Sequence, residues 1–394
     1  NLRVVAVTSF LAGLSSSMMQ AVWQPFVLSL GAPMGTLGLL ESIGGWRGVL
    51  TAPIQHLGGW FSDRVGRKPL IALGSLIGLM AVSLYVLASI TGNWRWLLPG
   101  VILLGASMVS NPAQNSLVAD SAQIGQRGMA YSILMTSWVA PGIFAPALGG
   151  FAADRWGFTP VLLMRIGLGM LSLLLLLLLL REALSPAERG VSRCEPRPPL
   201  IKAILPPREL RSFYVAMALD SFVWGLGSAL LFGMLTETYG FTTFQLGIMS
   251  SLLSIVWALS QLPIGALIDR YGRKPFMVLS EAIGILVIGG RLVSTSFPAF
   301  AFLHACFGLV ASTWMPAQRA LLADTVPEKQ RGEAMGRLAA FQGLVGFPSP
   351  YLGALLYERL GFQAPLLAYL VGVVITTVFI IVAVKESPRR KEAA

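Results

Sequence analysis

The sequence predicts an all-α membrane protein of twelve transmembrane helices, arranged as two pseudo-symmetric six-helix bundles, each of inverted three-helix repeats. Three observations carry this prediction: a chain-wide poverty in charge, uncharged stretches of spanning length, and motifs that recur at nearly fixed offsets.

Hydrophobic residues make up 55% of the 394 and charged residues only 12%, against about 25% charged in a soluble domain. So little charge cannot cover a water-facing surface, so most of the surface faces lipid. Pro69 to Trp94 and Gln363 to Val384 carry no charged residue. At ~1.5 Å per residue each is long enough to cross ~30 Å of hydrocarbon. Ile166 to Leu180 is almost entirely Leu, Gly and Met, and the 42 glycines suit helices that approach closely in a membrane.

The formal charge of +11 is a matter of topology, and no nucleic-acid partner is expected. With the N-terminus inside, the predicted cytoplasmic segments hold 21 basic residues, and the outer loops hold only Arg95, Arg155 and Arg359. This asymmetry follows the positive-inside rule and predicts a multi-pass inner or plasma membrane protein with both termini cytoplasmic. The first apolar run is long and has no cleavage site, so no cleavable signal peptide is expected. Cys194 and Cys306 lie far apart, in a loop and a helix, and predict neither a disulfide nor a metal site.

Twelve spans read as 4–29, 36–60, 69–90, 96–119, 129–152, 160–180, 212–236, 243–267, 275–296, 299–322, 333–356 and 363–384. Residues 1–180 form the N-terminal bundle, 181–211 a central cytoplasmic linker, 212–384 the C-terminal bundle and 385–394 a cytoplasmic tail. The linker is rich in proline and charge, which cannot bury a core.

Asp63-Arg64-Val65-Gly66-Arg67-Lys68-Pro69 recurs 206 residues on as Asp269-Arg270-Tyr271-Gly272-Arg273-Lys274-Pro275. Pro112-Ala113-Gln114, Ala119-Asp120 and Gln126-Arg127-Gly128 recur at an offset of 204, as do Gly149, Arg155, Gly157 and Phe158. A finer repeat at offset 91 matches Gly58-Gly59, Asp63-Arg64, Gly66 and Pro69 to Gly149-Gly150, Asp154-Arg155, Gly157 and Pro160. The first copy ends span two on the inside and the second ends span five on the outside. Three helices are therefore repeated upside down, the arrangement on which alternating-access transporters are built.

Gly59-x-x-x-Asp63-Arg64-x-Gly66-Arg67-Lys68, with its copy Gly265, Asp269, Arg270, Gly272, Arg273 and Lys274, resembles the signature loop of the major facilitator superfamily. The resemblance covers the whole chain and is closest to bacterial proton-coupled efflux members. It implies that the loop latches the two halves, with Asp63 near the start of span eleven, beside Arg337 or the Glu333 backbone. Ala145-Pro146-Ala147-Leu148-Gly149-Gly150 matches the family's antiporter element in span five only in part, with Ala for the first Gly. Where drug–proton antiporters carry an Arg in span four, this chain has Val101. Proton coupling would then use another group.

The resemblance implies that spans one, four, seven and ten line a central cavity. Polar stripes at i, i+4 spacing run along three of them: Ser16, Gln20 and Gln24; Ser107, Asn111 and Asn115; Asp220, Trp224 and Ser228. Trp23 and Trp314 add aromatic walls, and amides beside indoles suit a solute that is part apolar and part hydrogen-bonding. Packing between helices is the competing reading of such residues. A charge at the membrane centre costs at least ~2.5 kcal/mol, so the ionisable residues there are the sharper candidates. Asp220 is the first candidate for proton coupling, with Glu41 and His304 beside it. Arg47 is a candidate anion ligand or a partner that neutralises Asp220 across the bundle. Arg165, Glu281 and Arg291, in spans six and nine, are expected to pair structurally or to snorkel toward an interface.

The expected function is secondary transport of a small organic solute by alternating access, as proton-coupled export, by a monomer without a cofactor. The competing readings are uptake or facilitated passage of an organic anion through Arg47, and a receptor or scaffold without transport. No phosphate-binding loop points to ATP, and no catalytic constellation points to an enzyme.

Overall fold

A computed structural model describes residues 1–44, 51–121, 127–180, 182, 205–327 and 330–386. Most of the linker, residues 387–394 of the tail, Arg47 and the side chain of Asp63 lie outside the described residues. Among the described residues the chain is helical throughout and contains no strand. Nine helices there are long and apolar enough to cross a membrane, ten with the bent pair Ser132–Ile143 and Ala145–Trp156. Met34–Gly44 with Thr51–Val65, and Arg331–Gly346 with Ser349–Leu360, occupy the places of spans two and eleven.

Helix ends depart from the apolar stretches in a regular way. Leu2–Ser29, Arg67–Thr91, Thr243–Tyr271 and Phe297–Thr325 all run a few residues past the predicted spans. Arg67–Thr91 and Thr243–Tyr271 stop at the glycines Gly92 and Gly272, while Phe297–Thr325 stops at Val326 before Pro327. Span seven is interrupted between Arg211–Gly227 and Leu231–Tyr239. Span four passes through a 3-10 turn at Met108–Ser110, and span five through one at Ala140–Ile143. Pro141 and Pro146 explain the second break, because proline lacks the N–H and crowds the preceding turn; the pair is bent by 41°.

The chain divides into two compact units, Asn1–Pro199 with Thr242–Gly247, and Leu200–Phe241 with Ile248–Ala394. In the first, span one packs on spans five and six, and span three on spans four and six. In the second, span seven packs on spans eleven and twelve, and span nine on spans ten and twelve. The same pairs therefore recur in each unit. Gly149 and Gly353 show how closely: a methyl on either would lie 2.6 Å from the Met18 carbonyl oxygen or 2.1 Å from that of Leu226. Large apolar side chains such as Leu262, Leu286, Val293 and Val382 stay exposed, as a lipid-facing surface requires.

Candidate functional site

The signature loops are built alike in the two units. Thr51–Val65 ends at Gly66 (φ 117°) and Thr243–Tyr271 ends at Gly272 (φ 107°), a backbone region that side chains strongly disfavour. The next helix starts at once, and its first amides need acceptors. Glu182 supplies them in the first unit, accepting from the Arg67 and Lys68 backbone N–H groups at 3.0 Å each. Glu386, 204 residues later, does the same for Arg273 and Lys274 at 3.1 and 2.9 Å. The lysines donate to carbonyls near the end of the sixth helix of their unit, Lys68 to Leu177 at 2.8 Å and Lys274 to Ile381 at 2.7 Å. Arg67 donates to Ser62 Oγ (2.7 Å), while Arg273 bridges Asp269 (3.1 Å) and Asp324 (3.0 Å). Arg64 lies 3.9 Å over the Trp60 ring and Arg270 lies 5.4 Å from that of Tyr271. Arg337 is paired with Glu333 of its own helix.

The outer copy of the signature carries the same chemistry. Asp154 accepts the backbone N–H groups of Thr243 (3.0 Å) and Phe244 (2.8 Å), in the short segment Thr242–Gly247 that clusters with the first unit. A carboxylate on the free amides at a helix start is favoured by both hydrogen bonding and the helix dipole.

Inside the first unit, polar groups converge on Glu41. Gln24 Nε2 donates to Glu41 Oε1 at 3.2 Å, and the Trp23 side chain also bonds the carboxylate. The Trp23 ring packs against Tyr85 with centroids 5.0 Å apart. Tyr85 is fully buried and lies within electrostatic reach of both Glu41 and Arg165. Gln20, one turn earlier, is exposed.

Inside the second unit the arrangement differs. Arg291 is completely buried, stacks 5.1 Å from the Phe307 ring and meets His304 Nδ1 at 3.1 Å. A guanidinium offers only donors, so Nδ1 accepts and the ring carries its proton on Nε2. Tyr369 is buried within reach of Arg291, Asp220 and Glu281, and bonds the Ser228 side chain. Glu281 is buried within electrostatic reach of Asp220, and its Oε1 has no hydrogen-bond partner. Trp314 is buried with its indole N–H unpartnered, and Asn111 donates to Met108 Sδ at 3.4 Å.

Comparison with known proteins now bears on these two units. The sequence profile of the Major Facilitator Superfamily matches residues 5–234 and, a second time, residues 213–394. The chain belongs to the major facilitator superfamily. It is thus an integral membrane transporter and not an enzyme. Among its superfamily relatives, the multidrug resistance protein MdtG of Enterobacter lignolyticus is 25% identical over 391 residues, covering 96% of this chain and 91% of the relative. The Salmonella typhi protein of the same name is 25% identical over 375 residues, with coverages of 92% and 90%. A D-xylose–proton symporter shares the superfamily fold with a TM-score of 0.74 at 16% identity, covering 99% and 98% of the two chains. A bacterial homologue of the human lysosomal transporter Spinster gives 0.75 at 16%, covering 96% and 95%.

The expectation for Arg165, Glu281 and Arg291 is structural pairing or snorkelling, and Arg291 takes the first course, held by His304 and stacked on Phe307. Arg291 and Glu281 are buried in the second bundle, both within electrostatic reach of Tyr369. A signal for this was present. At the repeat offsets of 206 and 204, Tyr85 corresponds to Arg291 and Arg165 to Tyr369. Each superfamily half therefore keeps one arginine and one tyrosine at matched positions, with the two exchanged.

Proposed function

We infer that the chain exports small organic solutes in exchange for protons, by alternating access between its two bundles, as a monomer with both termini in the cytoplasm. The observation that carries the reading is Asp220, an acid within span seven. An ionisable group at that depth is costly unless it has a task. Relatives named as multidrug resistance proteins support export of organic compounds as the class of cargo. The polar stripes of spans one, four and seven, with Trp224 and Trp314, are the proposed solute contacts. Gln24 and Trp23 of span one are also engaged by Glu41, so solute would compete with that carboxylate for them. The signature loops and their glutamate caps are proposed to hold the cytoplasmic ends in one alternating state. Arg47, the proposed ligand for the organic-anion alternative, lies outside the described residues.

The test is proton flux in liposomes holding purified protein, an acidic lumen and a luminal pH dye, with candidate solutes added outside. Solute-dependent alkalinisation that disappears in Asp220→Asn is the expected result. Solute exchange without proton movement in the parent would sink antiport. Proton movement unchanged in Asp220→Asn would remove Asp220 from the path.

A further inference from the structure

Two ionisable side chains of span nine are buried with part of their hydrogen-bonding capacity unused. Glu281 is 6% exposed, and its Oε1 has no hydrogen-bond partner. Arg291 is 0% exposed; its Nη2 meets His304 Nδ1 at 3.1 Å, and its Nε and Nη1 have no partner. Neither side chain forms an ion pair among the described residues. Charges at such depth are costly unless they are paired or have a task.

Ten residues separate the two, roughly 15 Å of helix axis, but the guanidinium does not stay at its own level. Spans nine and ten run side by side in opposite directions. Ser280 Oγ donates to the Val310 carbonyl at 3.0 Å, and a methyl on Gly290 would lie 2.7 Å from Leu303 Cδ2. That register sets Phe307 opposite Gly284. The Arg291 guanidinium lies 5.1 Å from the Phe307 ring, so it reaches back toward Gly284, the direction in which helical side chains lean. Glu281 precedes Gly284 by three residues on the same buried face. Gly284 is itself buried, yet among the described residues a methyl there would meet no atom within 4 Å outside its own helix backbone. It therefore opens onto a small internal space, with a carboxyl group on one side and a guanidinium on the other.

We propose that this space is a binding site for a short zwitterion, a molecule whose ammonium and carboxylate groups are a few bonds apart. Glu281 holds the ammonium, and the guanidinium nitrogens that His304 leaves unused hold the carboxylate. The middle of the molecule lies against Gly284. His304 is a positioning residue, since by accepting from Nη2 it keeps the guanidinium over Phe307. A ligand with one charge leaves the opposite protein charge unmatched, so the site selects for both groups together. Binding stands apart from the antiport reading; only the role of the zwitterion as exported cargo rests on it.

Equilibrium binding of labelled β-alanine to the purified full-length protein tests the site, with glycine and γ-aminobutyrate as shorter and longer competitors. The best zwitterion is expected to bind at least about tenfold more tightly than ethylamine or propionate, which each lack one charged group. In Glu281→Gln, β-alanine is expected to bind no better than propionate. In Arg291→Gln it is expected to bind no better than ethylamine. A retained melting transition and the retained single-charge ligand show that each variant is folded. Gly284→Leu fills the space and is expected to abolish binding of all these ligands with the melting temperature unchanged or raised. Binding that survives Gly284→Leu, or zwitterions that bind no better than propionate to the parent, would overturn the site. So would absence of β-alanine binding to the parent, which would leave two charges satisfied by water only. With binding present, absence of solute-driven proton movement in liposomes would defeat antiport alone.

Discussion

The two bundles solve one problem in opposite ways. In the first, the buried acid Glu41 is surrounded by donors: Gln24 at 3.2 Å and the Trp23 side chain, with Tyr85 and Arg165 behind. In the second, the buried Glu281 keeps Oε1 without a hydrogen-bond partner, and the buried Arg291 guanidinium is engaged with His304. The first half gives its buried acid hydrogen-bond donors, and the second leaves one oxygen of its acid without one. A duplicated scaffold thus lets the two copies satisfy a buried acid differently.

The sharpest way to break that comparison is to reorder the second bundle. Arg291→Tyr alone is expected to destabilise by about 3–5 kcal/mol, because it removes the buried guanidinium that holds His304 and lies within reach of Tyr369. Adding Tyr369→Arg recreates the order of the first bundle and should recover at least half of that loss, read as the melting temperature in detergent. No recovery would mean that the exchanged pair is coincidence. Next come the acids. Glu41→Leu is expected to cost ~1–3 kcal/mol, since it strands the Gln24 amide and the Trp23 N–H. Glu281→Leu removes a carboxyl with an unsatisfied oxygen and should be neutral or stabilising in the same melting experiment. Equal losses would erase the distinction between the halves. Smaller effects should be symmetric. Gly66→Ala and Gly272→Ala each place a side chain at strongly positive φ, for about 1–2 kcal/mol. Glu182→Gln and Glu386→Gln weaken the paired caps by ~0.5–1 kcal/mol, and a marked difference between them would show that the caps are not equivalent.

Much of this was legible because the physics acts locally. Span length follows from hydrocarbon thickness, and Gly66 and Gly272 announce the turns that only glycine tolerates comfortably. The glutamate caps were harder to see, since Glu182 and Glu386 lie more than 100 residues from the amides they accept. Glu281 and Arg291 were assigned to a periphery by their span number. Their register says otherwise: Met277, Glu281, Gly284, Ile288 and Arg291 alternate by four and three, one buried face of a helix. Side-chain direction outweighs a helix's place in the bundle. Pro112 marks the break in span four, since it leaves the Met108 carbonyl without its i+4 donor, whereas no proline lies between Gly227 and Leu231 in span seven.

The exchanged arginine and tyrosine also bear on how the chain assembles during insertion. Were span six to find span nine, Arg165 would meet Arg291, two cations in lipid. Were span three to find span twelve, Tyr85 would meet Tyr369 with no cation between them. Only the within-half pairings unite a guanidinium with a phenol. Half-molecules made as separate polypeptides are therefore expected to sort correctly, each set of helices recognising its own members before the halves meet.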